Sequence, residues 1–386
     1  MPGAGFGDNG GMTSASYSSA AAEPFEGLRI RGVAKTFGTD TTVLNEIDLD
    51  VHPRELISLV GSSGTGKSTL LRIIAGLEEP SAGRVTYAGQ PLERGSVGVV
   101  FQRPILYPHL SVKDNILFPT RLGAFSGGVD MDYYRELLEA LKLEGLESRK
   151  PSQLSGGQAQ RVGIARALIR RAPVVLFDEP LASVDEEMSA SIRADIVRLH
   201  ERYGFTGLYV THDQNEALML GQRVAVMDAG YLVQVDTPER LLAHPHTLQV
   251  AKLMAAPALN LVALEDSAVL PAGCQLAIRA TALCPVAADA AHSLPVQVLG
   301  SRHLVGGMLY RARLLEAVSL PLESRRASAD SEPSDRVYAR VRAGQELEFF
   351  IPDAQSGSSL NVGDRVHLGV AAERCFVFSN GKRFYL

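Results

Sequence analysis

The chain has 386 residues, a formal net charge of −5, 46% hydrophobic and 21% charged residues, and three cysteines. This length predicts two domains, and the composition is that of a soluble globular chain. The negative net charge does not indicate a protein that binds nucleic acid. Its apolar runs fall short of the roughly 20 residues that span a bilayer, and its cysteines lack CxxC spacing.

The N-terminal part of the chain predicts an α/β domain behind a short tail. Residues 1–24 are rich in Gly, Ala and Ser without Lys or Arg, so we expect a disordered tail rather than a signal peptide. From Leu28 to Val235, short apolar runs alternate with helical stretches, which is typical of a mostly parallel sheet. The predicted strands are Leu56–Val60, Pro173–Phe177 and Gly207–Thr211, and the predicted helices are Ser68–Ala75, Tyr133–Leu143 and Glu186–Tyr203. Residues 103–172 form a predicted helical insert in this domain, which we place at 25–245.

The C-terminal part changes character after His244 and predicts a second domain at 246–386, which begins with a linker. Short apolar runs separated by Gly, Pro and Asp predict a small all-β barrel or sandwich. These runs are Leu276–Arg279, Val296–Leu299, Met308–Arg313, Val337–Val341, Leu347–Ile351, Arg365–Val370 and Cys375–Phe378. The polar segment Glu323–Asp335 predicts a flexible loop within it.

The segment Gly61–Ser68, with sequence GSSGTGKS, follows a predicted strand and opens a predicted helix. This is the context that a phosphate-binding loop requires, because its backbone N–H groups and the helix N-terminus can surround phosphates. Lys67 would neutralise phosphate charge, and the Ser68 hydroxyl would bind Mg²⁺. The alternative is a Gly-rich turn without a ligand.

Two acids, Asp178 and Glu179, end the apolar run that begins at Val174. Beside a phosphate loop, Asp178 would lie near the metal, and Glu179 could orient or deprotonate the attacking water. On its own, an acidic strand end is more often a solvated turn.

The pentapeptide Leu154–Gln158 (LSGGQ) runs into a helical stretch and could form a second anion-binding corner or a plain helix N-cap. It lies between the phosphate loop and the acidic strand. In this order the sequence resembles the ABC ATPase family, for which this pentapeptide is the signature motif.

The resemblance implies roles for further residues. Gln102 matches the glutamine that touches Mg²⁺ and water, His212 matches the switch histidine at the γ-phosphate, and Phe37 matches the aromatic residue that stacks on adenine. The implied catalytic residues are Glu179, His212 and Gln102, and the implied Mg²⁺ ligands are Ser68, Gln102 and Asp178. The implied ATP-binding residues are Phe37, Gly61, Ser62, Ser63, Gly64, Thr65, Gly66, Lys67, Ser68, Thr69, Ser155, Gly156, Gly157, Gln158 and Asp185.

The resemblance also implies a fold and an assembly. The expected fold is a P-loop NTPase with a RecA-like parallel core and a helical insert, followed by a TOBE-type barrel. Each ATP would lie between the phosphate loop of one subunit and the signature of another, in a homodimer or a paired ATPase.

The segment Phe101–Leu117 resembles the coupling region of importer ATPases. The implied partners are two transmembrane permease subunits and an extracytoplasmic binding protein, and the implied location is the cytoplasmic face of the inner membrane. The expected solute is a sugar, with polyamine, oxyanion and ferric iron left open. The rival interpretations are an exporter, a non-transport ABC ATPase and an inactive nucleotide-binding regulator.

Overall fold

A computed structural model describes residues 25–38, 40–122, 128–265, 270–271, 273–322, 337–353, 360–371 and 374–384. The predicted tail at 1–24 and the predicted loop at Glu323–Asp335 lie outside these described residues.

The strands of the N-terminal part are β1 Leu28–Phe37, β2 Thr41–Val51, β3 Leu56–Val60, β4 Ala82–Tyr87, β5 Gln90–Pro91, β6 Gly98–Val100, β7 Val174–Asp178, β8 Thr206–Thr211, β9 Arg223–Asp228 and β10 Tyr231–Asp236. The helices are α1 Lys67–Ile74, α2 Val112–Leu117, α3 Met131–Ala140, α4 Gly156–Leu168, α5 Glu186–Tyr203, α6 Gln214–Leu220, α7 Pro238–Ala243 and α8 Leu248–Leu253. Short 3₁₀ turns occupy Phe118–Arg121, Pro151–Gln153 and Ala280–Ala282. No helix among the described residues is both long and apolar enough to cross a membrane.

The central sheet has the strand order β10-β9-β3-β8-β7-β6, and its strands are parallel except for β10. Strands β3 and β8 are buried along their whole length, as expected for parallel strands that are covered on both faces. Because the strands run in one direction, the residues that follow β3, β6, β7 and β8 emerge at the same edge. Ligands of open parallel sheets bind at this edge.

The N-terminal part also contains a second sheet, which was not predicted beside the mostly parallel one. Strands β2, β1, β4 and β5 form a separate antiparallel sheet in that order. Its apolar residues, such as Ile30 and Ile47, belong to the same buried cluster as Leu59 of β3 and Leu71 of α1. Pairing direction depends on contacts between distant segments, so the local apolar pattern did not reveal it.

Helix α3 differs slightly in its bounds from the predicted helix Tyr133–Leu143. Helix α3 starts at Met131 because Asp130 caps it, accepting hydrogen bonds from the N–H groups of Asp132 and Tyr133. It ends before Lys142, whose φ of 55° is left-handed. Helices α2, α3 and α4 share one apolar cluster with Phe177 of β7, which fixes the insert to the sheet.

The C-terminal part is rich in β-strands, as predicted. The strands are β11 Leu259–Ala263, β12 Gln275–Arg279, β13 Cys284–Val286, β14 Leu294–Leu304, β15 Gly307–Leu314, β16 Val318–Leu322, β17 Val337–Val341, β18 Glu346–Pro352, β19 Arg365–Gly369, β20 Cys375–Ser379 and β21 Lys382–Phe384. Among the described residues they form sheets of four, five and two strands. Strands β11, β13, β16 and β21 were not predicted. Strands β13 and β21 have only three residues each, and β13 and β16 contain proline.

Candidate functional site

The loop between β3 and α1 adopts a conformation that favours glycine. Gly64 and Gly66 have φ of 81° and 100°, and a Cβ on Gly66 would lie 2.6 Å from Leu44 Cδ2 and 2.8 Å from the Val43 carbonyl oxygen. No side chain among the described residues caps α1. The first N–H groups of α1 therefore remain available to an anion.

Lys67 is buried within this loop, with 5% of its surface exposed. Its Nζ donates hydrogen bonds to the carbonyl oxygens of Gly61 at 2.8 Å and Ser62 at 2.9 Å. Burial lowers the pKa of Lys67, while the negative charges of Glu179 and Asp178 raise it. The loop thus holds a cation beside two acidic residues.

The Ser68 hydroxyl meets Asp178 across the sheet edge. Its Oγ donates to Asp178 Oδ1 at 3.2 Å. Burial raises the pKa of Asp178, although the Ser68 hydrogen bond acts in the opposite direction. A hydroxyl and a carboxylate are hard oxygen donors, and Mg²⁺ in nucleotide sites takes one or two such ligands together with phosphates and water. The donor set therefore fits Mg²⁺.

Glu179 and His212 form the second polar pair at this edge. Glu179 Oε2 lies 3.0 Å from His212 Nδ1. Glu179 has a left-handed φ of 44°, an uncommon conformation for a residue other than glycine, and its N–H donates to the Val210 carbonyl at 2.9 Å. This turn carries the carboxylate from the end of β7 to the residue that follows β8.

A buried network lies behind His212. Glu216 Oε2 accepts hydrogen bonds from the Thr211 hydroxyl at 2.8 Å and from the Tyr209 hydroxyl at 3.2 Å. Thr211 Oγ1 in turn accepts from the N–H of Asp213 at 3.0 Å. Glu216 was not predicted from the sequence, because an acid in the first turn of a helix is usually solvated and no local signal marks this one as buried.

Gln102 lies two residues beyond the end of β6, next to the loop that follows Glu179. The Ser183 hydroxyl donates to the Gln102 carbonyl oxygen at 3.1 Å, which joins the two loops. The Gln102 side chain is exposed. Asp185 caps α5 by accepting a hydrogen bond from the N–H of Met188 at 2.9 Å.

The segment Ser155–Gln158 forms a capping box at the start of α4. Ser155 Oγ accepts from the N–H of Gln158 at 3.2 Å, and Gln158 Oε1 accepts from the N–H of Ser155 at 3.0 Å. A Cβ on Gly157 would lie 2.5 Å from Met188 Cγ, so α4 and α5 approach closely there. Among the described residues, no hydrogen bond joins this segment to residues 61–69.

Phe37 ends β1 and is 43% exposed. Lys35 Nζ lies 4.9 Å from the centre of its ring. An exposed aromatic ring of this kind can stack on a planar ligand.

The sequence profile of the family described as "ABC transporter" matches residues 44–182. The chain is 45% identical over 241 residues to sn-glycerol-3-phosphate import ATP-binding protein UgpC 1 of Rhizobium johnstonii, which covers 61% of this chain and 65% of that relative. It is 42% identical over 266 residues to UgpC of Salmonella typhi, covering 66% of this chain and 74% of the relative. Among solved structures, it is similar to cbiO1 of Clostridium perfringens, described as part of the ABC transporter complex cbiONQ. That match has a TM-score of 0.51 and 27% identity, and it covers 57% of this chain and 92% of the other.

Proposed function

Because the chain belongs to the ABC transporter family of ATP-binding proteins, we propose that it binds and hydrolyses ATP to energise solute import. The observation that carries this proposal is the sheet edge itself. Two polar pairs, Ser68 with Asp178 and Glu179 with His212, meet there beside the buried Lys67. This arrangement supports a single site that combines phosphate binding, metal binding and activation of water.

In this proposal the loop Gly61–Thr69 holds the phosphates of ATP. The uncapped N–H groups of α1 donate to phosphate oxygens, and Lys67 exchanges its two backbone carbonyl partners for phosphate. The ring of Phe37 stacks on adenine.

Ser68, Gln102 and Asp178 would hold Mg²⁺ beside the phosphates. When bound, the ion neutralises negative charge on the β- and γ-phosphates during transfer. The raised pKa of Asp178 fits this role, since a bound cation offsets the cost of burying its charge.

Glu179 orients the attacking water and takes its proton. His212 contacts the Glu179 carboxylate through Nδ1, which leaves Nε2 to contact the γ-phosphate. The network of Glu216 and Thr211 fixes the backbone on both sides of the histidine.

The signature segment completes the site of a second subunit. Ser155 and Gln158 hydrogen bond to each other rather than to the chain's own phosphate loop. The proposed assembly is therefore a dimer, homomeric or paired with a related ATPase. Each ATP lies between the phosphate loop of one subunit and Ser155–Gln158 of the other, near Asp185.

The surface around Tyr107 and Ile105 supports the proposal that the chain binds permease subunits. Asn115 is fully buried and bonds to both the N–H and the carbonyl of Tyr107, at 2.8 and 3.1 Å. Arg166 donates to the Ile105 carbonyl at 2.6 Å. These hydrogen bonds fix the backbone of the segment. The apolar side chain of Ile105 is nonetheless 62% exposed to solvent. We propose that the two copies of this surface in the dimer dock on two transmembrane permease subunits at the cytoplasmic face of the inner membrane.

The same proposal assigns the two domains of the chain. The proposed ATPase domain spans 25–245 with its helical part at about 103–172, and 246–386 comprises a linker and a TOBE-like barrel.

The proposed solute is a carbohydrate or its phosphate ester, because the relatives are named for glycerol 3-phosphate import. An extracytoplasmic binding protein would deliver it. Polyamine, oxyanion and ferric iron are the alternative solutes.

The test is uptake by cells that lack the gene. We expect the deletion to abolish uptake of labelled glycerol 3-phosphate or of a labelled sugar. Wild-type chain should restore uptake, Glu179→Gln should not, and the exposed variant Arg311→Gln should serve as the matched control. Loss of polyamine, oxyanion or iron uptake alone would overturn the carbohydrate assignment. Unchanged uptake of all of these solutes would overturn import.

A further inference from the structure

A cavity of about 640 Å³ lies between the nucleotide-binding part and the β-rich part of the chain. Residues Gln214, Asn215 and Leu218 of α6 line one side, and Arg279, Arg374 and Phe376 line the other. Its volume falls in the range of sites for small organic molecules, about 300–1,000 Å³. None of the nucleotide-site residues described above lines it.

Positive charge is concentrated on the β-rich side of this cavity. The guanidinium of Arg279 lies 5.0 Å from the ring centre of Phe376, and that of Arg383 lies 4.6 Å from the same ring. Burial, together with the charges of Arg383 and Arg374, lowers the pKa of Arg279 to about 10. Three cations thus act on one another around Phe376.

Arg279 and Arg374, the two arginines that line the cavity, have few compensating groups among the described residues. Arg279 donates to the carbonyl oxygens of Leu242 at 2.7 Å and Met254 at 3.3 Å, and its Nη2 has no hydrogen-bond partner among the described residues. The exposed Arg374 side chain has no ion pair within the described part of the chain. Glu239 is the one acidic residue among the residues that line the cavity.

We propose that this cavity binds a small organic anion that carries a phosphate or a carboxylate group. Guanidinium groups bind both anions through charge-assisted hydrogen bonds, with a planar fork that matches either one. The apolar side chains of Leu218, Met254 and Phe376 would contact the carbon body of the ligand.

The cavity also adjoins the nucleotide site through α6. This helix starts at Gln214 and is capped by Asp213, the residue that follows His212. A ligand that contacts Gln214 or Asn215 therefore acts on the helix start that positions His212. Binding of the anion should therefore change the rate of ATP turnover. This expectation rests on the proposed function, whereas the proposal that the anion binds does not.

Binding is tested by calorimetry on the full chain saturated with Mg²⁺ and ADP, so that the phosphate loop is already filled. The probes are 3-phosphoglycerate, inorganic phosphate and glycerate, and the last two separate the phosphate contribution from the carboxylate contribution. We expect one 3-phosphoglycerate per chain, with binding weakened about tenfold or more in Arg374→Ala.

ADP already fills the phosphate loop in this assay, and two variants distinguish binding in the cavity from binding elsewhere on the surface. Thr281→Trp should fill the cavity and weaken binding, whereas the exposed Arg311→Ala should leave binding unchanged. Arg279 is left intact because its hydrogen bonds to Leu242 and Met254 also join the two parts of the chain. Absence of binding for all three probes, or equal binding in Arg374→Ala and wild type, would overturn the site.

The coupling to turnover has a separate test. ATP hydrolysis is measured with and without saturating 3-phosphoglycerate, in wild type and in Arg374→Ala. A change in rate that disappears in the variant supports coupling through α6. An unchanged wild-type rate overturns the coupling, while a wild type without any ATPase activity counts against the proposed function instead.

Discussion

The carboxylate of Glu179 lies 3.0 Å from Nδ1 of His212, although 33 positions separate them in sequence. The pair forms because β7 and β8 are parallel neighbours with Asp178 opposite Val210. The Glu179 N–H also bonds to the Val210 carbonyl, which fixes the turn. The position of the Glu179 carboxylate is therefore set by the register of the sheet and by the left-handed backbone conformation of Glu179.

Lys67→Ala should weaken nucleotide binding. The substitution removes a buried cation and two hydrogen-bond donations within the phosphate loop. We expect the dissociation constant for ATP to rise by about tenfold or more, since charge-assisted hydrogen bonds contribute about 1.5–3 kcal/mol. A titration with fluorescent ATP measures this, and the exposed Lys113→Ala is the control. A wild-type affinity in Lys67→Ala would show that the loop is a turn without a ligand.

Much of this site could be predicted from local sequence. The order of strand, Gly-rich turn and helix predicts the loop at Gly61–Ser68, and the acidic end of β7 predicts Asp178 and Glu179. Glu216 could not be predicted, because its burial depends on Tyr209 and Thr211 of a neighbouring strand. The antiparallel sheet of β1, β2, β4 and β5 was not predicted for a similar reason, because strand pairing depends on residues that are far apart in the sequence.

Asp178→Asn should stabilise the nucleotide-free chain at neutral pH. Burial raises the pKa of Asp178 above 3.8, so the folded state binds its proton more readily than the unfolded chain does. The ionised carboxylate therefore lowers the free energy of unfolding, and this cost grows as pH rises from about 4 through the folded pKa. Asparagine avoids the cost.

Thermal unfolding from pH 4 to pH 8 checks this expectation. The difference in Tm between Asp178→Asn and wild type should be positive at pH 8 and should shrink toward pH 4. Added Mg²⁺ and ATP should raise the Tm of wild type more than that of the variant. A variant less stable than wild type across the whole pH range would refute the assignment of a buried, destabilising charge.

Glu216→Ala should reduce both stability and turnover. The change leaves the hydroxyls of Tyr209 and Thr211 without their shared acceptor, at a cost of about 1–3 kcal/mol for a buried unpaired group. Glu216→Gln retains a carbonyl acceptor and should lose less. Urea unfolding and ATPase assays on both variants measure the two effects. Equal behaviour of Ala and Gln would mean that the hydrogen bonds do not position His212.

Ser155→Arg tests the shared nucleotide site. The bulky cation should block closure of the dimer while leaving ATP binding by the single chain nearly intact. In mixed dimers with Lys67→Ala, one composite site carries both lesions and the other carries none. Such dimers should therefore occlude nucleotide at one site. A complete absence of occlusion would indicate that each site lies within one chain.

The most direct measurement is Mg²⁺-dependent ATP turnover by purified Glu179→Gln beside wild type. Glutamine keeps the size of the side chain but cannot take a proton from water, so turnover should fall by roughly two orders of magnitude or more. ATP binding should persist, and the variant should accumulate as a closed dimer in ATP on size-exclusion chromatography. Wild-type turnover in Glu179→Gln would contradict the assignment of Glu179 as the catalytic base.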